Sequence, residues 1–293
     1  MGKGTGRGTP GSVHGQEATH IFDCLMTLVE YNCTGLDGTP DLVTGILRRP
    51  TGLGKRKAII IVHTGNGWGK GASSQSAENV TIQYAKFLCE NGFVTFEPRF
   101  FLDRENKNEY RDLPRCFNAL KFLSTLDYVD ANSISITGYS YGGFLSFAAA
   151  TEWAHRRYCY PGTSFCSYLP FYPICWILTD HINRLPGYPA FPPDIFDRWV
   201  RRPMAIFQGG KDDYEDQDPL VLDKLISAIP DNIQRKMTTG FLYPNTSHGW
   251  DRGYDYTFED PHSRKGSGGT NTNVFNPYVT IQAKQDLLNF LNS

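Results

Sequence analysis

Short apolar runs alternate with stretches of helical periodicity along most of the chain. Residues 57–63 form an apolar run, which is typical of a strand buried on both faces. Residues 93–97 and 204–208 are similar runs, while residues 109–126 carry apolar side chains three or four positions apart, as an amphipathic helix does. Strands and helices that alternate in this way predict an α/β fold with a parallel sheet and right-handed crossover connections.

The N-terminal region departs from this alternation. Residues 21–31 and 42–48 are predicted as strands, and the turn-forming residues 36–40 between them predict an antiparallel hairpin. Residues 1–20 are rich in Gly, Thr and Ser and lack the apolar segment of a secretory signal. We therefore expect a disordered tail at 1–20 and a single domain at 21–293.

Three segments of the C-terminal half have patterns of their own. Residues 173–200 are rich in Pro and aromatic side chains, which predicts either an excursion over the mouth of a pocket or an ordinary long connection. Residues 260–276 are polar and contain several Gly, so a mobile loop is predicted there. Residues 277–291 have the spacing of an amphipathic helix that closes the domain.

A Gly-Tyr-Ser-Tyr-Gly motif lies between a predicted strand at 133–137 and an apolar, Ala-rich helix at 144–153. In this context the pattern G-x-S-x-G is that of a nucleophile elbow. Gly138 and Gly142 would let the strand and helix pass closely, and the Ser140 hydroxyl would project at the helix N-terminus, which favours a developing negative charge. Ser140 is therefore the predicted nucleophile, although a glycine turn without a catalytic role would have the same pattern.

Two residues further along the chain could activate this serine. A catalytic serine needs a base, and the base needs an acid that orients it. Asp212 and His248 each follow a predicted strand, so a parallel sheet would bring both to the edge where Ser140 lies. The order Ser, Asp, His is that of α/β-hydrolases. Asp213 is the alternative to Asp212, and a surface position is the alternative for His248.

The glycine-rich loop at 64–71 follows the first predicted parallel strand. It lacks the G-K-[ST] ending of a phosphate-binding loop, but in a serine hydrolase a loop at this position supplies one N–H group of the oxyanion hole. Gly65 and Asn66 are the candidates, and the N–H group of Tyr141 is the predicted second donor. We interpret His63 as a structural residue that hydrogen-bonds this loop.

Composition excludes several classes of function. The net charge of −1 and the absence of a basic block argue against a nucleic-acid-binding protein, and no apolar run approaches the length of a membrane span. The seven cysteines are an odd number without a C-x-x-C pair, which predicts neither a zinc site nor a disulfide framework. We therefore expect reduced core cysteines and a cytoplasmic location.

Four motifs together resemble the dienelactone hydrolase family of the α/β-hydrolase superfamily. They are Gly138-Tyr-Ser140-Tyr-Gly142-Gly, Phe171-Tyr-Pro173, Gly209-Gly-Lys-Asp-Asp213 and Tyr243-Pro-Asn-Thr-Ser-His248-Gly-Trp250. The resemblance implies an α/β-hydrolase fold: a mostly parallel central sheet flanked by helices, with the antiparallel hairpin at the N-terminus. It also implies an ester or lactone hydrolase that forms an acyl-enzyme and needs neither cofactor nor metal.

The chain departs from this family in its nucleophile. The founding dienelactone hydrolases use a cysteine where this chain has Ser140, so dienelactone itself is not the expected substrate. Their two arginines, which bind a substrate carboxylate, have possible counterparts in Arg99 and Arg252. For Arg252 an ion pair at the surface with Asp251 or Asp255 is an equal alternative.

The sequence thus predicts a serine hydrolase for a small-molecule ester or lactone. An aromatic pocket lined by Trp68, Tyr139, Trp250 and, less directly indicated, Trp176 would suit an apolar or aromatic acyl group. Two alternatives remain open: a small serine peptidase of the prolyl oligopeptidase type, and a catalytically silent α/β-hydrolase fold that serves as a binding protein.

Overall fold

The computed structural model describes residues 22–34, 39–68, 80–102, 107–185 and 191–293. The strands in these ranges are β1 (Cys24–Thr34), β2 (Pro40–Pro50), β3 (Arg56–Val62), β4 (Val94–Pro98), β5 (Val129–Tyr139), β6 (Tyr168–Phe171), β7 (Met204–Gly209), β8 (Thr238–Tyr243), β9 (Tyr256–Asp260) and β10 (Gly269–Asn273). The helices are α1 (Val80–Glu90), α2 (Glu109–Ser124), α3 (Tyr141–Ala148), α4 (Glu152–Tyr158), α5 (Cys175–Ile182), α6 (Val221–Ala228), α7 (Asn232–Lys236), α8 (Ser263–Gly266) and α9 (Pro277–Asn292). The predicted tail at 1–20 lies outside the described residues.

A central sheet of eight strands has the order β1-β2-β4-β3-β5-β6-β7-β8. Strands β3 to β8 run parallel to one another, while β2 is antiparallel to both β1 and β4. The mostly parallel sheet and the antiparallel hairpin at its N-terminal edge confirm the predicted fold class.

Helices cover both faces of this sheet, which explains the apolar run in β3. Ile59 and Ile61 point to one face and pack with α1 and α9, whereas Ile60 and Val62 point to the other and pack with α2 and α3. All four side chains have no solvent exposure. Since successive side chains of a strand alternate between faces, a strand covered on both sides must be apolar throughout.

The longest described helices, α2 and α9, have 16 residues each. A helix needs about 20 mostly apolar residues to cross the hydrocarbon core of a bilayer. Within the described ranges, no helix combines the length and the apolar character that such a crossing requires.

The segment predicted as a mobile loop at 260–276 instead contributes to a second, two-stranded sheet. Strands β9 and β10 pair antiparallel, with Tyr256 opposite Asn273 and Asp260 opposite Gly269. We call residues 256–273 the β9–β10 hairpin. The loop prediction was wrong because β10 reads Gly-Thr-Asn-Thr-Asn and has no apolar side chain. Hydrogen bonds from this hairpin to the loop after β7, from Thr272 to Asp213 and from Lys265 to Asp218, hold the hairpin in position.

Two other segments differ from the sequence-based expectation. The predicted helix at 144–153 is interrupted, since α3 ends at Ala148 and Thr151 caps a new helix, α4, by accepting a hydrogen bond from the Ala154 N–H group at 3.2 Å. The region expected to be irregular contains helix α5. Within the segment at 173–200, the proline-containing residues 186–190 lie outside the described residues.

A disulfide joins Cys24, at the start of β1, to Cys89 in α1. The prediction of a chain without disulfides was wrong, because an odd number of cysteines still permits one bridge. Cys33, Cys116 and Cys175 are free and buried, as expected of small core residues. Since disulfides persist in oxidising environments, the cysteine pattern no longer supports a reducing compartment, and the cytoplasmic location stays a prediction.

Candidate active site

The turn between β5 and α3 holds Ser140 in a strained backbone conformation. Its φ of 54° and ψ of −112° lie outside the regions that L-residues normally occupy. A Cβ atom on Gly138 would lie 2.2 Å from the Gly142 carbonyl oxygen, and one on Gly142 would lie 2.4 Å from that of Val62. The two glycines are therefore required by the close approach of strand and helix, as the elbow motif predicted.

Ser140, His248 and Asp212 form a continuous chain of hydrogen bonds. His248 Nε2 lies 2.9 Å from Ser140 Oγ, and His248 Nδ1 lies 2.7 Å from Asp212 Oδ2. In the tautomer that satisfies both contacts, Nδ1–H donates to the carboxylate and Nε2 accepts from the serine hydroxyl. Asp212 has no solvent exposure and His248 only 4%, so water does not compete for the contact between them.

The two adjacent carboxylates, Asp212 and Asp213, have different hydrogen-bond partners. Asp212 accepts hydrogen bonds from Gln208 Nε2 and from the Tyr214 N–H group, both at 2.9 Å, as well as from His248. Asp213 is turned away and accepts from the Thr272 N–H group in β10 at 2.8 Å. Asp212 is therefore the carboxylate in contact with the imidazole, while Asp213 ties the β9–β10 hairpin to this loop.

Two tyrosine rings hold the imidazole of His248 in place. The rings of Tyr172 and Tyr214 pack edge-on against it, with centroid distances of 4.7 Å and 4.6 Å. Each hydroxyl is anchored in turn, since Tyr172 donates to Asp251 Oδ1 at 2.7 Å and Tyr214 to Asp260 Oδ2 at 2.8 Å. Sequence analysis missed both residues. Tyr172 is the middle residue of the Phe-Tyr-Pro motif and Tyr214 follows the Asp-Asp pair, which was the signal that could have found them.

Two further carboxyl groups are buried beside this site. Burial, and then the charge of Asp212, raises the pKa of Glu215 well above its usual value. Glu215 nevertheless accepts hydrogen bonds from the N–H groups of Cys175 at 2.6 Å and Trp176 at 3.0 Å, at the start of α5. Burial also raises the pKa of Asp251, although the hydrogen bond that this carboxyl group accepts from Tyr172 lowers the pKa by a smaller amount. Both groups thus favour the protonated form more than an exposed carboxyl group does.

The N–H groups predicted for an oxyanion hole lie around the same serine. Tyr141 is the first residue of α3, and Gly65 lies against it, since a Cβ atom on Gly65 would be 3.4 Å from Tyr141 Cβ. No backbone hydrogen bond between described residues uses the N–H group of Gly65, Asn66 or Tyr141. These groups can therefore donate hydrogen bonds to a ligand oxygen.

His63 has the structural role that the sequence suggested. Its Nδ1 lies 2.9 Å from the Thr64 carbonyl oxygen, and its Nε2 accepts a hydrogen bond from the Phe100 N–H group at 3.2 Å. Burial lowers the pKa of His63 below its usual value. The ring is thus a neutral support for the loop that carries Gly65.

Ser140 and His248 open on a cavity of about 690 Å³, its open mouth included. Both apolar and polar side chains line the cavity. The lining includes Thr64, Gly65, Asn66, Lys107, Glu109, Ser140, Tyr141, Phe144, Ile174, Ile177, Tyr214, His248, Arg252, Tyr256, Phe258, Asp260 and His262. The β9–β10 hairpin supplies four of these residues. Sequence analysis proposed none of them, because residues 260–276 were predicted as a loop and residues 256–259 were assigned no element.

Trp68, Tyr139 and Trp250 do not line this cavity, contrary to the prediction of an aromatic pocket. All three are buried, with exposures of 2%, 0% and 0%. Tyr139 precedes Ser140 in a strand, so its ring points to the opposite face of the sheet and packs on Tyr84. Trp250 packs on Tyr172 behind the imidazole, and Trp68 packs under the guanidinium group of Arg99.

The remaining predicted binding residues differ in whether they line the cavity. Trp176 and Arg99 lie outside the cavity lining, whereas Arg252 lies within it. Arg252 Nη2 donates to Thr64 Oγ1 at 2.9 Å, and its guanidinium group stacks on Tyr256 at 4.8 Å. Among the described residues, Arg252 forms no ion pair with Asp251 or Asp255. Its guanidinium group is thus held at the cavity wall by a hydroxyl group and a ring.

Comparison with known proteins places the chain among hydrolases by fold. Residues 99–160, which include the elbow, match the model of the prolyl oligopeptidase family, and no curated protein matches the chain. A protein assigned as a dienelactone hydrolase from Klebsiella pneumoniae is similar in structure, with a TM-score of 0.60 and 14% identity, over 92% of this chain and 99% of that one.

Two esterases are similar to a comparable degree. An esterase of Rhizomucor miehei has a TM-score of 0.59 and 12% identity, over 93% of this chain and 84% of its own. Esterase 2 of Thermogutta terrifontis, phosphorylated by paraoxon, has a TM-score of 0.56 and 16% identity, over 89% and 91%. At these identities the likeness shows a shared fold, the α/β-hydrolase fold, and at that level it confirms the resemblance to dienelactone hydrolases.

Proposed function

We propose that this protein is a serine hydrolase that cleaves a carboxylic ester or a lactone through an acyl-enzyme intermediate. The observation that carries the proposal is the chain of hydrogen bonds from Asp212 through His248 to Ser140, which ends at the wall of a cavity. The esterases and the dienelactone hydrolase among the structural neighbours support the reaction class.

In the first half-reaction, Ser140 Oγ attacks the carbonyl carbon of the ester while His248 Nε2 takes the hydroxyl proton. Asp212 stabilises the imidazolium that forms and keeps Nδ1 protonated. The tetrahedral intermediate collapses when the bond to the leaving alcohol oxygen breaks, and Nε2 returns its proton to that oxygen. The products of this step are the free alcohol and the acyl group bound to Ser140.

In the second half-reaction, His248 takes a proton from a water molecule that attacks the acyl carbonyl. The ester bond to Ser140 Oγ then breaks, and Nε2 gives the proton back to the serine. The N–H group of Tyr141, with that of Gly65 or Asn66, would hold the oxyanion in both steps, for which preorganised donors are worth several kcal/mol. Neither step consumes a cofactor.

The cavity lining suggests the form of the substrate. Among the lining residues, Phe144, Ile174 and Ile177 provide apolar surface that suits an alkyl or aryl group, whereas Arg252 provides a cation. We propose that Arg252 binds a carboxylate or another acceptor group on the substrate, as its counterpart does in dienelactone hydrolases.

Replacement of the nucleophile tests the proposal. The wild-type protein should hydrolyse p-nitrophenyl acetate and gain the mass of a fluorophosphonate probe, and Ser140→Ala should lose both, with a fall in kcat of at least about 10³-fold. Ser267→Ala, which alters an exposed serine of the hairpin, is the matched control and should behave as wild type. Activity retained by Ser140→Ala would refute the assignment, and a wild-type protein that neither labels nor turns over any ester would be the silent binding protein instead.

A serine peptidase is the second candidate function. The match of residues 99–160 to the prolyl oligopeptidase family is the observation that favours it. A peptidase would cleave amide substrates such as peptidyl p-nitroanilides, with the proline-containing ones preferred. Turnover of these amides that exceeds turnover of matched esters would move the assignment to this class.

A further inference from the structure

The β9–β10 hairpin forms one wall of the cavity and has a buried face and an exposed face. Tyr256 and Phe258 line the cavity, while Thr257 and Glu259 between them are exposed. This alternation is that of a strand with one face on a site and the other in water. The inward face ends at Asp260 and His262, which also line the cavity.

Asp260 holds His262 by two hydrogen bonds. The Asp260 carboxylate is 3% exposed, and its Oδ1 accepts from the backbone N–H group of His262 at 2.9 Å and lies 3.0 Å from the ring Nδ1. With the backbone and the ring both attached to the same oxygen, the imidazole has a fixed orientation. A carboxylate at Nδ1 also fixes the tautomer in which Nδ1 carries the proton.

The same carboxylate connects His262 to the proposed catalytic histidine. Asp260 Oδ2 accepts from the Tyr214 hydroxyl at 2.8 Å, and the Tyr214 ring lies 4.6 Å from that of His248. Lys265 and Thr272 fasten the hairpin to the loop after β7, since they donate to Asp218 and Asp213 at 2.8 Å each. The second His–Asp pair is therefore held rigidly with respect to the site.

We propose that His262 binds the substrate, with Asp260 as the residue that positions its ring. The inference rests on the proposed function and adds the substrate class: an ester that carries a hydroxyl group away from the scissile group. With the proton on Nδ1, the ring nitrogen Nε2 of His262 accepts a hydrogen bond from this hydroxyl group. A hydrogen-bonding group fixed at the wall of a pocket discriminates strongly against a substrate that lacks its partner.

Two matched esters test this inference. p-Nitrophenyl 6-hydroxyhexanoate and p-nitrophenyl heptanoate have nearly the same size, but only the first has a hydroxyl group that can donate. Wild type should favour the hydroxy ester in kcat/KM by about tenfold or more, and His262→Ala should remove the preference by raising KM for the hydroxy ester alone. His262→Gln, whose amide oxygen can still accept, should keep part of the preference, and Asp260→Asn should lose part of it at unchanged kcat.

Thr257→Ala changes the exposed face of the same hairpin and should keep the wild-type preference. Equal kcat/KM values of wild type for the two esters would overturn the inference, and so would a His262→Ala variant that loses activity equally on both. Failure of the proposed function would look different, since wild type would then hydrolyse neither ester, and the inference would fall with it.

Discussion

Asp212 and Asp213 are adjacent carboxylates whose surroundings give them different tasks. Asp212 is fully buried and bonded to the imidazole of His248, whereas Asp213 bonds to the backbone of the β9–β10 hairpin. A residue that keeps an imidazole in its reactive tautomer is far more sensitive to the loss of its charge than one that anchors a loop.

Asp212→Asn should therefore lower kcat for p-nitrophenyl acetate by about 10³- to 10⁴-fold, because an amide at this position favours the wrong tautomer of His248. Asp213→Asn is the matched control and should retain kcat within a few-fold, since an amide oxygen can still accept from the Thr272 N–H group. A larger loss in Asp213→Asn than in Asp212→Asn would reverse the two roles.

The sequence was informative about residues that immediately follow strands. Ser140, Asp212 and His248 could be selected because each lies just beyond a strand of one parallel sheet, and the topology alone brings such residues together. The pocket aromatics could not be selected in this way. Tyr139 and Trp250 are one and two positions from proposed catalytic residues, yet their rings point into the core, because chain proximity does not determine side-chain direction.

Among the elements, the β9–β10 hairpin was the least predictable. Strands are usually identified by apolar alternation, which β9 shows over only four residues and β10, Gly-Thr-Asn-Thr-Asn, does not show at all. Its pairing depends on contacts remote in sequence, such as those of Thr272 with Asp213 and of Lys265 with Asp218. The N-terminal hairpin was predictable because its turn and its apolar runs are local signals.

The Cys24–Cys89 disulfide ties this N-terminal hairpin to α1 across a sequence separation of 65 residues. Closing a loop of this length removes entropy from the unfolded chain worth about 4 kcal/mol. The double variant Cys24→Ser with Cys89→Ser should lose free energy of unfolding of this order, as urea denaturation would measure. Dithiothreitol should destabilise wild type but not the double variant, and Cys166→Ser should match wild type. Equal stability of wild type with and without reductant would show that the bridge does not form.

Two histidines with lowered pKa values make the stability of the whole molecule depend on pH. Burial, together with the charge of Arg202, lowers the pKa of His155 from its usual 6.5 to about 4, and burial lowers that of His63 as well. Between pH 4 and pH 6.5, His155 binds a proton in the unfolded chain but not in the folded protein. The stabilisation from His155 is therefore complete above pH 6.5 and is lost as the pH falls toward 4.

Replacement of His155 by glutamine should separate this contribution from the other titrating groups. His155 Nε2 lies 2.7 Å from the Tyr168 hydroxyl, and a glutamine oxygen can accept the same hydrogen bond but cannot bind a proton. The wild-type free energy of unfolding should fall from pH 7.5 to pH 5 by about 2 kcal/mol more than that of His155→Gln. The buried Asp251 and Glu215 titrate in both proteins, so they cancel in this difference. Parallel pH profiles from urea denaturation would mean that His155 is protonated as readily in the folded protein as in the unfolded chain.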